Sequence, residues 1–278
     1  MYLIEYGQKL IMEDILKNST FLTSGCSFSA EPFSWPNLIG DNVRNLAEHG
    51  AGNTYIRRQI QKEVLQNPNK YNFAIVQWST IDRWDYPFLI KSKDDTDVIR
   101  MQDEDVVGKI GYVRMGTNYN DKSKYFYDNY YSIYGQLLET LENIYFTQLF
   151  FENNKIPYLM FTIANLMTTD VSFDMIRNID KINGDLMKQR VSTIQPENVI
   201  ETFISTDTLN LLIKKINWKR FIWTTNYKVD GIGDGFTEYL ISKGQQFGYA
   251  ENTHPDEEQN KMIFDELIKP RIVKELLI

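Results

Sequence analysis

The chain has 278 residues, a formal net charge of −7, one cysteine and two histidines. That length suits one large α/β domain or two small ones. The acidic balance argues against a broad nucleic-acid footprint, a single cysteine excludes an internal disulfide framework, and so few His and Cys argue against a zinc site of the usual ligands. Met1-Tyr2-Leu3-Ile4-Glu5 lacks the basic-then-apolar start of a signal peptide. Charges interrupt every candidate membrane span, so the expectation is a soluble cytoplasmic protein with no membrane span.

In chain order, Phe21-Leu22-Thr23 is the first strand candidate. From Trp35 to Glu48 the periodicity of Leu38, Ile39, Val43, Leu46 and Ala47 alone predicts one helix. Asn53 reads as an N-cap, followed by Ile56, Ile60 and Val64 at i, i+4 and i+8. Phe73 to Trp78 is a strong strand. Residues 85–128 are polar, with only short apolar pieces such as Ile110 to Val113, and read as an insertion into a single domain. A long helix is predicted over Tyr130 to Asn153, with Leu137, Leu138, Leu141, Ile144 and Tyr145 inward. Strands follow at Tyr158 to Ile163 and, more weakly, Asn198 to Phe203. The last helix is predicted over Glu257 to Leu276, bent near Pro270. Apolar runs alternating with amphipathic stretches favour a parallel sheet covered by helices.

Gly25-Cys26-Ser27-Phe28-Ser29 then carries most of the functional information. It follows a short apolar strand and presents a serine at the strand's carboxyl end, where α/β hydrolytic enzymes hold a nucleophile. Glu251-Asn252-Thr253-His254-Pro255, ahead of the last helix, supplies an acid and a base. Two further blocks lie between them: the glycine-rich turn His49-Gly50-Ala51-Gly52-Asn53, which opens a helix, and Gln77-Trp78-Ser79-Thr80, which ends the strongest strand.

These blocks, in this order over about residues 21 to 275, resemble the SGNH/GDSL hydrolase superfamily. The likeness is to its divergent branch, common in phage and marine sequences, with Gly-Cys-Ser-Phe in place of Gly-Asp-Ser. The resemblance implies a flavodoxin-like three-layer α/β/α sandwich with about five parallel strands. It implies Ser27 as nucleophile, His254 as general base, Glu251 as the acid in a place where the family usually has Asp, and Gly52 as an oxyanion donor. The third block departs from the family, since Ser79 stands where an asparagine is expected. The resemblance also ends the helix after Trp35 near Asn42 and puts a short strand at about Arg44 to Glu48, and this reading is preferred to the periodicity.

The chemistry expected is ester hydrolysis through an acyl-serine, with no metal and no cofactor. Ser27 needs a neutral imidazole to take its proton, and the oxyanion needs preorganised donors, here the Ser27 and Gly52 N–H groups and Ser79. The substrate would be a small O-acyl ester, acetyl groups on carbohydrate included. The alternatives are a catalytically silent SGNH-fold binding protein, virion-associated if of phage origin, and an O-acyltransferase.

Several residues carry plainer readings. Asn53 is a helix cap that could also face the site, Arg83 is a solvated surface residue that could also bind substrate or support its loop, and Cys26 is a packing residue ranked well ahead of its reading as a rival nucleophile. Asp230, Asp234 and Asp256 compete with Glu251 for the role of acid. Gly116-Thr117-Asn118 imitates the missing family block but lies inside the insertion, and ranks below Ser79. Tyr125-Phe126-Tyr127 and Tyr130-Tyr131 could stack on a sugar, with packing as the default.

Overall fold

The computed structural model describes residues 14–81, 83–89, 110–115, 133–164, 207–223, 234–245 and 254–277, together with positions 129 and 166. Strands β1 (Phe21–Ser24), β2 (Val43–Asn45), β3 (Phe73–Trp78) and β6 (Tyr158–Thr162) form one sheet in the order β2-β1-β3-β6, and every pairing in it is parallel. Beyond β6, an isolated parallel bridge joins Met160 to Phe221, and Ile222 donates its N–H to the Met160 carbonyl at 2.8 Å. This outward growth from a central β1–β3 pair is compatible with a flavodoxin-like arrangement. The weak strand expected at Asn198 to Phe203 lies outside the described residues.

The parallel strands read as continuous apolar runs because both faces of the sheet are covered. On one face lie α2 (Asn53–Gln66), α3 (Ile133–Asn153) and α4 (Asp207–Lys215). Their Ile56, Ile60, Val64, Leu141, Ile144 and Leu209 pack on Leu22, Ala74, Val76 and Met160. On the other face lie α5 (Phe236–Ser242), α6 (Glu257–Ile263) and α7 (Lys269–Leu276), which cover Phe21, Phe73, Ile75 and Phe161 together with Trp35. The predicted α2 and α3 stripes are the observed ones.

The stretch from Trp35 to Glu48 is not the single helix that periodicity alone gives but the preferred helical segment followed by a short strand: a 3₁₀ turn covers Trp35–Leu38, Gly40 adopts a positive φ of 146°, and Val43–Asn45 pairs with β1. Gly40 has open space around it, so its backbone conformation and not a tight contact calls for glycine. Beside β1 the chain continues as Leu46 and Glu48 donate to the Thr23 and Gly25 carbonyls, although the strand ends at Asn45. The N-cap of α2 is Gly52 and not the expected Asn53, which is the first helical residue.

The polar insertion contains a two-stranded antiparallel ladder, β4 (Trp84–Leu89) with β5 (Ile110–Met115). Near Pro270 the last helix opens into a π-helical segment, Phe264–Ile268, between α6 and α7. Proline has no N–H to donate and its ring crowds the carbonyl four residues back, so a wider turn absorbs the mismatch.

Candidate active site

Ser27 is the first residue of a one-turn helix, α1 (Ser27–Ala30), immediately past β1. Gly25 lets this turn close. A Cβ there would lie 2.6 Å from Ser29 Oγ and 2.9 Å from Gln77 Oε1. Ser29 Oγ bonds the Gln77 side chain and accepts from Trp35 Nε1 at 2.9 Å. The Ser29 carbonyl accepts from Asn45 Nδ2 at 2.7 Å and Ser34 Oγ at 2.9 Å, so β2 and the 3₁₀ turn both hold α1 in place. Cys26 is fully buried in the core, which is the packing role expected of it.

His254 reaches this turn from the far end of the chain. Asp256 caps α6 through a reciprocal pair with Gln259, and Asn260 bonds both the Pro255 carbonyl and the Trp35 N–H. This anchorage sets the His254 ring against Phe28, the neighbour of Ser27, with centroids 5.3 Å apart. Burial lowers the His254 pKa from its ordinary 6.5; the Glu31 carboxylate opposes this, while Arg83 and His49 add to it. Burial thus favours the neutral imidazole, the form that a general base needs. Asp256, a competitor for the role of triad acid, is a helix cap. Glu251 and Asp230 lie outside the described residues, as do Gly116-Thr117-Asn118 and the 125–127 aromatics.

Gly52, Asn53 and Ser79 meet one another a short way along the same sheet edge. Asn53 Oδ1 accepts the Ser79 N–H at 2.8 Å, and its Nδ2 donates to the Ser79 carbonyl at 3.3 Å and to Thr140 Oγ1 at 3.0 Å. That amide is fully engaged in joining α2, the end of β3 and α3, so Asn53 acts as an internal staple. Gly52 does not offer a free N–H: it donates to Asp85 Oδ1 at 3.0 Å. Ser79 Oγ is buried and, among the described residues, has no hydrogen-bond partner. A buried hydroxyl left in this state calls for a ligand oxygen or an ordered water.

Three residues that matter here were not singled out by sequence reasoning, or were read differently. Asp85, the first residue of the expected polar excursion, is buried and bonded to the start of α2. Arg83 is not a solvated surface residue: it is partly buried, its carbonyl lies against Gly52, and its charge bears on both His254 and Asp85. Glu31 closes the α1 turn with its carboxylate Oε1 3.8 Å from His49 Nδ1. No local pattern marks any of the three; only its spacing of four from Ser27 hinted at Glu31.

Among the described residues, no group of three His, Cys, Asp or Glu side chains could hold a metal ion, and no helix is long and apolar enough to cross a membrane. No protein-family model, curated protein or solved structure matches the chain.

Proposed function

We propose that the protein is a serine ester hydrolase with an SGNH-type site, acting on small O-acyl esters. The observation that carries this reading is the meeting of two distant blocks of the chain: His254, with a depressed pKa, packs on Phe28, the residue that follows Ser27. The location also fits, because open α/β sheets bind ligands at the carboxyl ends of their strands.

On this reading the neutral imidazole of His254 takes the Ser27 hydroxyl proton as Oγ attacks the acyl carbon. The alcohol leaves with that proton, and water, activated by the same imidazole, releases the acid from the acyl-serine. The N–H of Ser27, first in its helix, has no acceptor within α1 and is one oxyanion donor. Ser79 Oγ is a second.

A silent binding role is favoured by one observation, the donation of the Gly52 N–H to Asp85. Labelling by a fluorophosphonate probe separates the two readings. Labelling of the parent that Ser27→Ala and His254→Ala both abolish supports the hydrolase. A well-folded parent that does not label supports the binding role instead.

A further inference from the structure

We propose that Glu31 is the carboxylate that positions His254, in the role expected of Glu251, and that it is shared with the chain's other histidine, His49. The proposal rests on the Ser27–His254 reading and names the third member of that site.

Ser27, Phe28 and Glu31 belong to one helical turn, with Glu31 at the C-cap of α1. Residues three and four apart on a turn are neighbours, so this spacing puts Glu31 on the same side of the turn as Ser27 and as Phe28, on which the His254 ring packs. Its backbone is held unusually firmly for a residue outside a long helix. The Glu31 carbonyl accepts from the Ser34 N–H at 3.0 Å, Ser34 Oγ at 2.6 Å and Asn37 Nδ2 at 3.2 Å.

One of the chain's two histidines, His49, contacts this carboxylate, and the other, His254, feels its charge. His49, in the turn before α2, places Nδ1 3.8 Å from Glu31 Oε1. The titratable and charged groups facing His254 are Glu31 from the end of α1, His49 from ahead of α2 and Arg83 from ahead of β4. Glu31 is the acid in that set. Burial, Arg83 and His49 disfavour the imidazolium that forms when Ser27 gives up its proton, and the Glu31 charge opposes them. Asp256, two residues from His254, is engaged in capping α6. Water reaches the Glu31 side chain, which is 27% exposed, so its field is partly screened.

With only two histidines, proton-carbon NMR of the imidazole Cε1–H groups in the full chain gives one titration curve for each, and His49→Gln assigns them. Glu31→Gln is expected to lower the His254 midpoint by about 0.5 pH unit or more. It is also expected to slow fluorophosphonate labelling of Ser27 by about tenfold or more. Glu31→Asp, which keeps the charge and shortens its reach, recovers most of both, and Glu251→Gln moves neither. A His254 midpoint that stays put in Glu31→Gln, or moves in Glu251→Gln instead, overturns the proposal. If the glutamine variant does not fold, Glu31→Asp decides: a small downward step supports the pairing and no step refutes it. Absence of labelling in the parent would sink the hydrolase reading alone, because the NMR curves report on Glu31 without it.

Discussion

Asp85 closes the start of helix α2 by accepting the Gly52 N–H on Oδ1 at 3.0 Å and the Tyr55 N–H on Oδ2 at 2.9 Å. Gly52 is the N-cap and has no side chain to satisfy these donors, so a carboxylate 33 residues away supplies what a local Asp or Ser would. The same contact occupies an N–H that an oxyanion would otherwise use. Stability and chemistry therefore meet at one atom pair.

Gly52→Ala tests how tightly the two residues fit. The added Cβ would lie 2.5 Å from Asp85 Oδ2 and 3.0 Å from the Arg83 carbonyl. The backbone at Gly52, with φ −92° and ψ 177°, suits alanine, so the cost is steric alone. A loss of about 1–3 kcal/mol is expected from urea unfolding. An unchanged midpoint would mean that the Arg83–Asp85 segment yields freely.

Asp85 also makes stability depend on pH. Burial pushes its pKa from 3.8 up to about 6, against the lowering effect of the two backbone N–H groups. Because the folded value is the higher one, its contribution is fully present below about pH 4 and is lost as pH rises through about 6. The loss is of order 3 kcal/mol. Asp85→Asn does not titrate. Parent stability should thus fall relative to Asp85→Asn between pH 4 and 7, about as far as that figure; a constant difference would show that Asp85 is ionised throughout.

Ser79→Ala separates structure from catalysis. The hydroxyl has no partner among the described residues, so its removal should leave the urea midpoint within about 0.5 kcal/mol of the parent or raise it. If Ser79 donates to the oxyanion, ester turnover should fall on the order of 10²–10³-fold. Loss of stability without loss of rate would make Ser79 a structural residue.

The pH profile of labelling reports on His254. On the proposed hydrolase reading the neutral base is the active form, and burial lowers its pKa from the ordinary 6.5. The rate should rise with pH and level off, with its inflection below that value. An inflection above 6.5 would mean that a carboxylate outweighs burial, and would point to a closer acid than the structure describes.

Much of the frame was legible in the chain because it rests on local periodicity. Phe73 to Val76 and Tyr158 to Phe161 are unbroken apolar runs, which mark strands buried on both faces, and Ile56, Ile60 and Val64 repeat at helical spacing, which states which face is buried. The Ser27 turn was legible for a similar reason, since a strand, a glycine and a small polar residue lie together in the sequence. Periodicity misled at Trp35 to Glu48. There the pairing of Val43, Arg44 and Asn45 with β1 overrides helical spacing, because a short isolated helix gains little by itself while the sheet edge offers backbone partners.

What the amino-acid sequence by itself determined was the α/β class, the positions of the main strands and helices, and the serine and histidine worth testing. Only the tertiary structure decided that Gly52 faces Asp85, that Asn53 staples Ser79 to Thr140, and that the Glu31 carboxylate lies 3.8 Å from His49. A buried polar group must find a partner wherever the fold brings one within reach, and that partner carries no mark in its own stretch of chain. Burial of a face repeats every two or four residues and can be read locally, whereas a hydrogen bond across 33 residues exists only once the sheet has been assembled.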